Sequence, residues 1–272
     1  MGKCFHKAKP KISYATIDEL RIRYQDNTIA GAKNLVFLHG LGGSIESWAD
    51  NTSELSGKYR TVALDLPGFG LSDKPNRKYT MRFFSLFVLH AIHELGVGFP
   101  INIIGSSLGG QIAATIATIS PLKVDKLILI SPAGFTPRSF LGSDGLRKYT
   151  GIANATSRTE IRKALSETTP GAVMDKDVQL AGERMAIRGA KNAFISALKY
   201  STAARRINFN RIKSPTLVIW GREDRIIPVK FILQFLTMKN CRLCVLENCG
   251  HRPHVERPTL INRIIESFID EN

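Results

Sequence analysis

Gly105-Ser106-Ser107-Leu108-Gly109 follows the apolar run Ile101-Asn102-Ile103-Ile104 and precedes the small-residue stretch Gly110-Gln111-Ile112-Ala113-Ala114. This order predicts a strand, a sharp turn and a helix, the setting in which a G-x-S-x-G pentapeptide lifts a serine hydroxyl clear of the backbone. Glycines at 105 and 109 leave the turn the space it needs, and Gly110 allows helix and strand to pack closely. Such a pentapeptide is common by chance, so the remainder of the chain decides whether Ser107 has partners.

Working outward from the turn, strand-length apolar runs recur at Leu35–Leu38, Thr61–Leu64, Leu127–Ile130, Thr216–Trp220 and Arg242–Leu246. Lys11–Asp18 and Leu20–Gln25 alternate apolar and polar residues about Asp18-Glu19, which predicts an opening antiparallel hairpin. Helical patterns fall between most of the runs. Thr80 is placed to cap a helix over Met81–Leu95, and Pro258 suits the first turn of a closing helix with Leu260, Ile261, Ile264, Ile265 and Phe268 inward. Buried runs alternating with amphipathic helices predict an α/β fold: a mostly parallel central sheet of about eight strands with helices on both faces. One interval breaks the alternation. Between Leu127–Ile130 and Thr216–Trp220 the patterning is helical, with the capping-box spacing Ser157-x-x-Glu160 and helix-forming composition over Val178–Ala190 and Lys191–Tyr200. It reads as a helical cap, residues 135–213, inserted after the sixth strand into a core of residues 1–134 and 214–272.

A serine hydroxyl becomes a nucleophile only when a base takes its proton, and the base needs a third group to orient it. Asp224 lies just beyond the run Thr216–Trp220, and His251 just beyond the run that ends at Leu246. With Ser107 they fall at the C-terminal edge of one parallel sheet, where open α/β folds bind ligands. Glu223 is expected to point away, and Asp65 to organise the turn Pro67-Gly68-Phe69-Gly70. His90 and His93 belong to a solvated helix face, His254 to local packing, and His39 to shaping the loop His39-Gly40-Leu41-Gly42-Gly43. Acyl transfer also needs backbone N–H groups aimed at the oxyanion. Leu108, after the serine, and Leu41, in the glycine-rich loop, are the candidates.

These segments together resemble the α/β-hydrolase fold serine hydrolases, in the branch of capped esterases and C–C-bond hydrolases. The resemblance rests on His39–Gly43 with Ser47-Trp48, on Asp65-Leu66-Pro67-Gly68-Phe69-Gly70-Leu71-Ser72-Asp73, on the Ser107 turn, on the Asp224 loop and on Gly250-His251. It implies Ser107, Asp224 and His251 as a catalytic triad, needing neither metal nor organic cofactor. Meta-cleavage-product hydrolases usually carry Asn before the serine and Trp after the histidine; Ser106 and Arg252 stand there here. The reading is therefore a carboxylesterase acting on small to medium esters through an acyl-enzyme. The alternatives are a C–C hydrolase of dienoate ketones and a hydrolase-derived small-molecule receptor. Phe135, Met185, Phe194 and Arg252 are the expected substrate-pocket residues.

Composition bounds the partners. The 272 residues hold 38 Lys and Arg against 23 Asp and Glu, a net charge of +15. The basic residues are scattered in pairs among apolar ones, unlike a nucleic-acid stripe, so no nucleic acid is expected. Between Phe135 and Lys213 there are 15 Lys and Arg against 6 Asp and Glu, which concentrates positive charge on the cap and suits an anionic substrate. Four cysteines are too few for a disulfide framework. Cys241-x-x-Cys244 sits on a predicted strand, where residues three apart face opposite ways, so the two are expected as reduced core side chains. The N-terminus lacks an apolar signal region, and prolines and glycines interrupt the uncharged stretch Gly96–Leu122. The expectation is a cytoplasmic monomer or homodimer without stable membrane insertion, its partner a small ester.

Overall fold

A computed structural model describes residues 10–135, 150–168, 173–204 and 207–271. His6, Cys4 and the basic pairs Arg147-Lys148 and Arg205-Arg206 lie outside the described residues. Eight strands form one sheet: β1 (Lys11–Ile17), β2 (Leu20–Asp26), β3 (Asn34–Leu38), β4 (Arg60–Leu64), β5 (Ile101–Ser106), β6 (Val124–Ile130), β7 (Thr216–Gly221) and β8 (Cys241–Leu246). Their spatial order is β1-β2-β4-β3-β5-β6-β7-β8. β1 and β2 pair antiparallel to each other, β2 pairs antiparallel to β4, and every other pairing is parallel. The hairpin turns on Asp18 and Glu19, both at positive φ, the conformation a two-residue turn needs to match the twist of its strands.

Each central strand is buried on both faces, which is why its sequence is a continuous apolar run rather than an alternation. Val36 and Leu38 of β3 join one core cluster with α2 (Met81–Glu94) and α3 (Leu108–Ile119), through Phe84, Ile112 and Ile116. Leu35 and Phe37 join the other, against Trp48, Leu55 of α1 (Ala49–Leu55), and Ile261, Ile265 and Phe268 of the closing helix at Pro258–Asp270. Thr80 accepts the Phe83 N–H and so caps α2, while Pro258 stands in the closing helix's first turn. Leu260 departs from its expected place: it is exposed, while Ile269 is buried beside Ile261, Ile265 and Phe268. Cys241 packs against the first cluster and Cys244 against the second, as opposite faces of a strand require, and both are free thiols.

Between β6 and β7 the described residues form α4 (Arg158–Thr168), α5 (Asp175–Ala186) and α6 (Ala190–Ala203), with a short helical stretch at 150–154. Ser157 Oγ accepts the Glu160 N–H while Glu160 returns an acceptor to the Ser157 N–H, completing the capping box. α5 ends at Ala186, short of the expected Ala190, and Gly189 at φ +89 separates it from α6. Two helices follow the last strand: the short α7 (Pro253–Glu256) and α8 (Pro258–Asp270), the closing helix.

The topology places the site. β3 lies between β4 and β5, so the chain leaves β3 toward one side of the sheet and returns on the other. Loops that follow β3 and β5 part at that switch and leave a crevice at the strand C-termini. His39–Gly43 and Ser107 occupy those two loop positions.

Candidate active site

Ser107 stands between the last residue of β5 and the first of α3, at φ +52 and ψ −115. A non-glycine residue holds that conformation only when its surroundings enforce it. Here the Ser107 N–H donates to Ile130 O, and Ser107 O accepts from Gln111 N and Ala133 N, so the turn is tied to both α3 and the end of β6. The flanking glycines are compelled by space. A Cβ on Gly105 would lie 2.3 Å from Gly109 O, and one on Gly109 would lie 2.1 Å from Leu38 O. Ser107 is buried apart from its opening onto the cavity described below, and no hydrogen bond among the described residues engages its hydroxyl.

The glycine-rich loop after β3 packs directly on this turn: a Cβ on Gly40 would lie 3.2 Å from Ser107 Cβ. His39, fully buried, shapes the loop. Its Nε2 accepts the Leu66 N–H at 3.0 Å, so Nδ1 carries the proton and donates to Gly40 O at 2.7 Å. Burial lowers its pKa, keeping it neutral in that role. Asp65 braces the same loop from below. Its carboxylate accepts the N–H groups of Ile45 and Leu71 and pairs with Arg23, and a Cβ on Gly70 would collide with it. Asp65 thus does more than organise the Pro67–Gly70 turn; it joins that turn to the loop at Ser107. Leu41 lines the cavity beside Ser107, and Leu108 is the first residue of α3, where a helix N–H has no intrahelical acceptor.

His251 and Asp224 come together from the loops that follow β8 and β7. Nδ1 of His251 lies 2.8 Å from Asp224 Oδ2, which also accepts from Trp220 Nε1 at 3.1 Å. The other oxygen, Oδ1, accepts the N–H groups of Ile226 and Ile227. Four donors on one buried carboxylate fix its plane and, through it, the imidazole ring. Glu223 points elsewhere, accepting the Cys249 N–H and tying the Asp224 loop to the His251 loop.

Ser107 and His251 open onto one cavity of about 210 Å³. Leu41, Met185, Phe194 and Arg252 also line it, and so do Ser47, Ser106, Asp177, Arg184 and His254. Phe135 does not. Its ring lies 5.6 Å from that of Phe209 and 4.7 Å from that of Phe235, in an aromatic cluster that ties the end of β6 to the β7 side of the core. An aromatic residue just past a strand end gains more from that packing than from facing a cavity, and the expectation for Phe135 is corrected accordingly.

Sequence reasoning missed Arg184. It sits on α5 among the cavity-lining Asp177, Leu180, Ala181 and Met185, and charges at helical spacing on a stripe with apolar neighbours were the available signal. Its side chain is 16% exposed and its Nη2 donates to Glu46 at 2.9 Å. His254 was missed as a cavity residue. It is buried, its ring centroid 4.1 Å from that of Trp48, with Nδ1 unpartnered and its pKa held well below 6.5 by burial. Asp177, the acidic residue on this wall, turns a carboxylate oxygen to the Met174 N–H at the start of α5. Among the described residues no three His, Cys, Asp or Glu side chains are grouped to hold a metal ion.

Comparison with known proteins agrees with this fold. A family model for the alpha/beta hydrolase fold matches residues 33–258. The chain is 28% identical over 267 residues to a 2-hydroxy-6-oxononadienedioate/2-hydroxy-6-oxononatrienedioate hydrolase of Burkholderia vietnamiensis, covering 92% of this chain and 91% of that protein. Among solved structures, a membrane phospholipase A described as a bacterial virulence factor superposes with a TM-score of 0.82 at 28% identity, covering 97% of this chain and 86% of the other. A meta-cleavage product hydrolase from Pseudomonas fluorescens IP01 superposes with a TM-score of 0.83 at 23% identity over 95% and 97% of the two chains, a likeness of fold.

Proposed function

We infer the function from the premise that this chain belongs to the α/β-hydrolase fold family: it is a serine hydrolase whose substrate is a carboxylate-bearing dienoate ketone, cleaved at the carbon–carbon bond beside the ketone. Ser107 is the nucleophile, His251 its general base and then general acid, and Asp224 the orienting carboxylate. The N–H groups of Leu41 and Leu108 receive the oxyanion. Attack on the ketone carbon passes the serine proton to His251. Before the carbon–carbon bond can break, the dienol ketonises, its 2-hydroxyl proton moving to the carbon beside the ketone. The electron pair of the breaking bond then runs through the remaining double bond to the 2-oxo oxygen, and His251 returns the proton to that dienolate. Water then releases the acyl group as a carboxylic acid, with His251 again as base.

Arg184 is the observation that carries this reading over simple ester cleavage. A carbon leaving group departs only if its negative charge is delocalised, and in a dienoate that charge runs toward the carboxylate end. A cation largely withdrawn from water interacts with that end far more strongly than one in bulk solvent. Of the five N–H donors of Arg184, one is engaged by Glu46 and no other protein acceptor is present among the described residues, which leaves donors for a bidentate carboxylate. The relatives named for dienedioate hydrolysis support the same substrate class. This replaces the ester preference expected from sequence. Ester cleavage remains the second reading, favoured by Ser106 and Arg252 in place of Asn and Trp and by the likeness to a phospholipase A. The cytoplasm is the proposed compartment, and no helix among the described residues is long and apolar enough to cross a membrane.

The test compares bleaching of yellow 2-hydroxy-6-oxo-dienoates with turnover of short p-nitrophenyl esters. The expected result is a kcat/KM for the dienoate at least tenfold above the best ester, with both lost in S107A. Ester turnover with no bleaching across several dienoates would sink the C–C reading and leave the esterase.

A further inference from the structure

We propose that Glu46 is the positioning residue that sets Arg184 for a substrate carboxylate, and thereby fixes the preference for anionic over neutral substrates. The inference rests on the reading of Arg184 given above. Glu46 lies in the short 3₁₀ turn Ile45–Trp48, a few residues beyond Leu41 in the loop that packs on Ser107. Its carboxylate is fully engaged. Oε2 accepts from Arg184 Nη2 and from Ser44 Oγ, and Oε1 accepts from Arg23 Nη2. Arg23, on β2 and 7% exposed, is in turn anchored by Nη1 to the buried Asp65. A chain of alternating charges, Asp65–Arg23–Glu46–Arg184, therefore runs from the core of the sheet to the helical segment over the cavity.

Two features make this chain a positioning device. A guanidinium is planar, so pinning one edge decides where the other edge points. An untethered arginine at a cavity wall would lose rotamer freedom on gripping a ligand, and a tether removes part of that cost beforehand. Glu46 also does not simply cancel Arg184. Its single charge is shared with Arg23, which Asp65 also pairs, and it engages only one of the Arg184 N–H donors. Burial works to raise the Glu46 pKa, but the hydrogen bonds from Arg23 and Ser44 and the charge of Arg23 overcome it, leaving the carboxyl at about 2 and ionised throughout the working range. Because Glu46 and Leu41 belong to one short segment, the carboxylate-binding edge of Arg184 is registered to the oxyanion donors, where the bond breaks.

The experiment measures kcat and KM for a 2-hydroxy-6-oxo-dienoate and for p-nitrophenyl acetate in wild type, E46Q, R184M and E46Q/R184M. Inhibition of the acetate reaction by glutarate serves as a second measure of carboxylate binding. E46Q is expected to lower the anionic-to-neutral ratio of kcat/KM about tenfold, chiefly through KM, and to weaken glutarate similarly. In the R184M background the Glu46 change is expected to add less than twofold, the mark of a residue acting through Arg184. Equal losses on both substrates in E46Q, or an undiminished E46Q effect without Arg184, would overturn the proposal. So would an unchanged ratio in E46Q beside a collapsed one in R184M. If R184M itself leaves the ratio and the glutarate inhibition unchanged, the carboxylate reading of the cavity falls, and Glu46 with it.

Discussion

Asp224→Asn isolates what the carboxylate contributes to the triad. Oδ1 of Asp224 receives the Ile226 and Ile227 N–H groups at 2.9 and 2.8 Å, so the amide oxygen of the asparagine is held at that position. The amide nitrogen must then replace Oδ2, facing His251 Nδ1 and Trp220 Nε1. Trp220 loses little, because its Nε1 also donates to Ile227 O at 2.8 Å. His251 does not escape. An amide N–H directed at Nδ1 selects the tautomer whose lone pair is on Nδ1 and whose proton is on Nε2, which leaves Ser107 without a base. A tautomer inversion of this type costs about ten-thousand-fold in kcat, equivalent to about 5.4 kcal/mol at about 1.36 kcal/mol per decade. Folding is expected to be nearly unaffected, since both backbone bonds persist and a buried charge is removed. Ester and dienoate turnover measured beside thermal unfolding gives the magnitude, and the ¹⁵N shifts of His251 give the tautomer. A variant retaining more than a tenth of wild-type kcat, or an Nδ1–H still present in D224N, would refute the reasoning.

Two further outcomes follow from the packing around the site. Gly109→Ala places a Cβ 2.1 Å from the Leu38 carbonyl, a main-chain atom of a central strand, so urea denaturation should show a loss of about 4 kcal/mol or more; Gly96→Ala, at positive φ but with no atom within 4 Å, should cost about 1–2 kcal/mol, and equal costs would contradict the clash. His254 stays neutral when folded because burial lowers its pKa, whereas its unfolded state gains a proton near pH 6.5, so wild-type stability falls as pH drops below that value. His254→Phe keeps the stacking on Trp48 and removes the titration; its stability relative to wild type should grow below pH 6.5, by at most about 1.4 kcal/mol per pH unit, and a difference that does not vary with pH would count against a neutral His254.

The strands and the Ser107 turn were legible because their causes are local. A strand buried on both faces is predominantly apolar, the Ser107 turn at φ +52 is flanked by glycines where backbones touch, and some helix starts show a cap, as Thr80 and Ser157 do. Leu260 and Phe135 were misplaced for the opposite reason. Which apolar residue of a stripe faces inward, and whether an aromatic beyond a strand end packs or lines a cavity, depends on neighbours distant in sequence, here Phe209 and Phe235.

The same division holds at the site. By itself the sequence determined the α/β architecture, the order of the three loops that follow β5, β7 and β8, and the residue types a serine hydrolase requires at them. Tertiary structure alone decided what surrounds the serine. Glu46 and Arg184 are separated by 138 residues and share a hydrogen bond, and neither residue's local pattern signals the other. Local periodicity is set by the geometry of one chain segment; the charge of a cavity is set by which segments the sheet and the helices above it bring into contact, and that is a property of the whole fold.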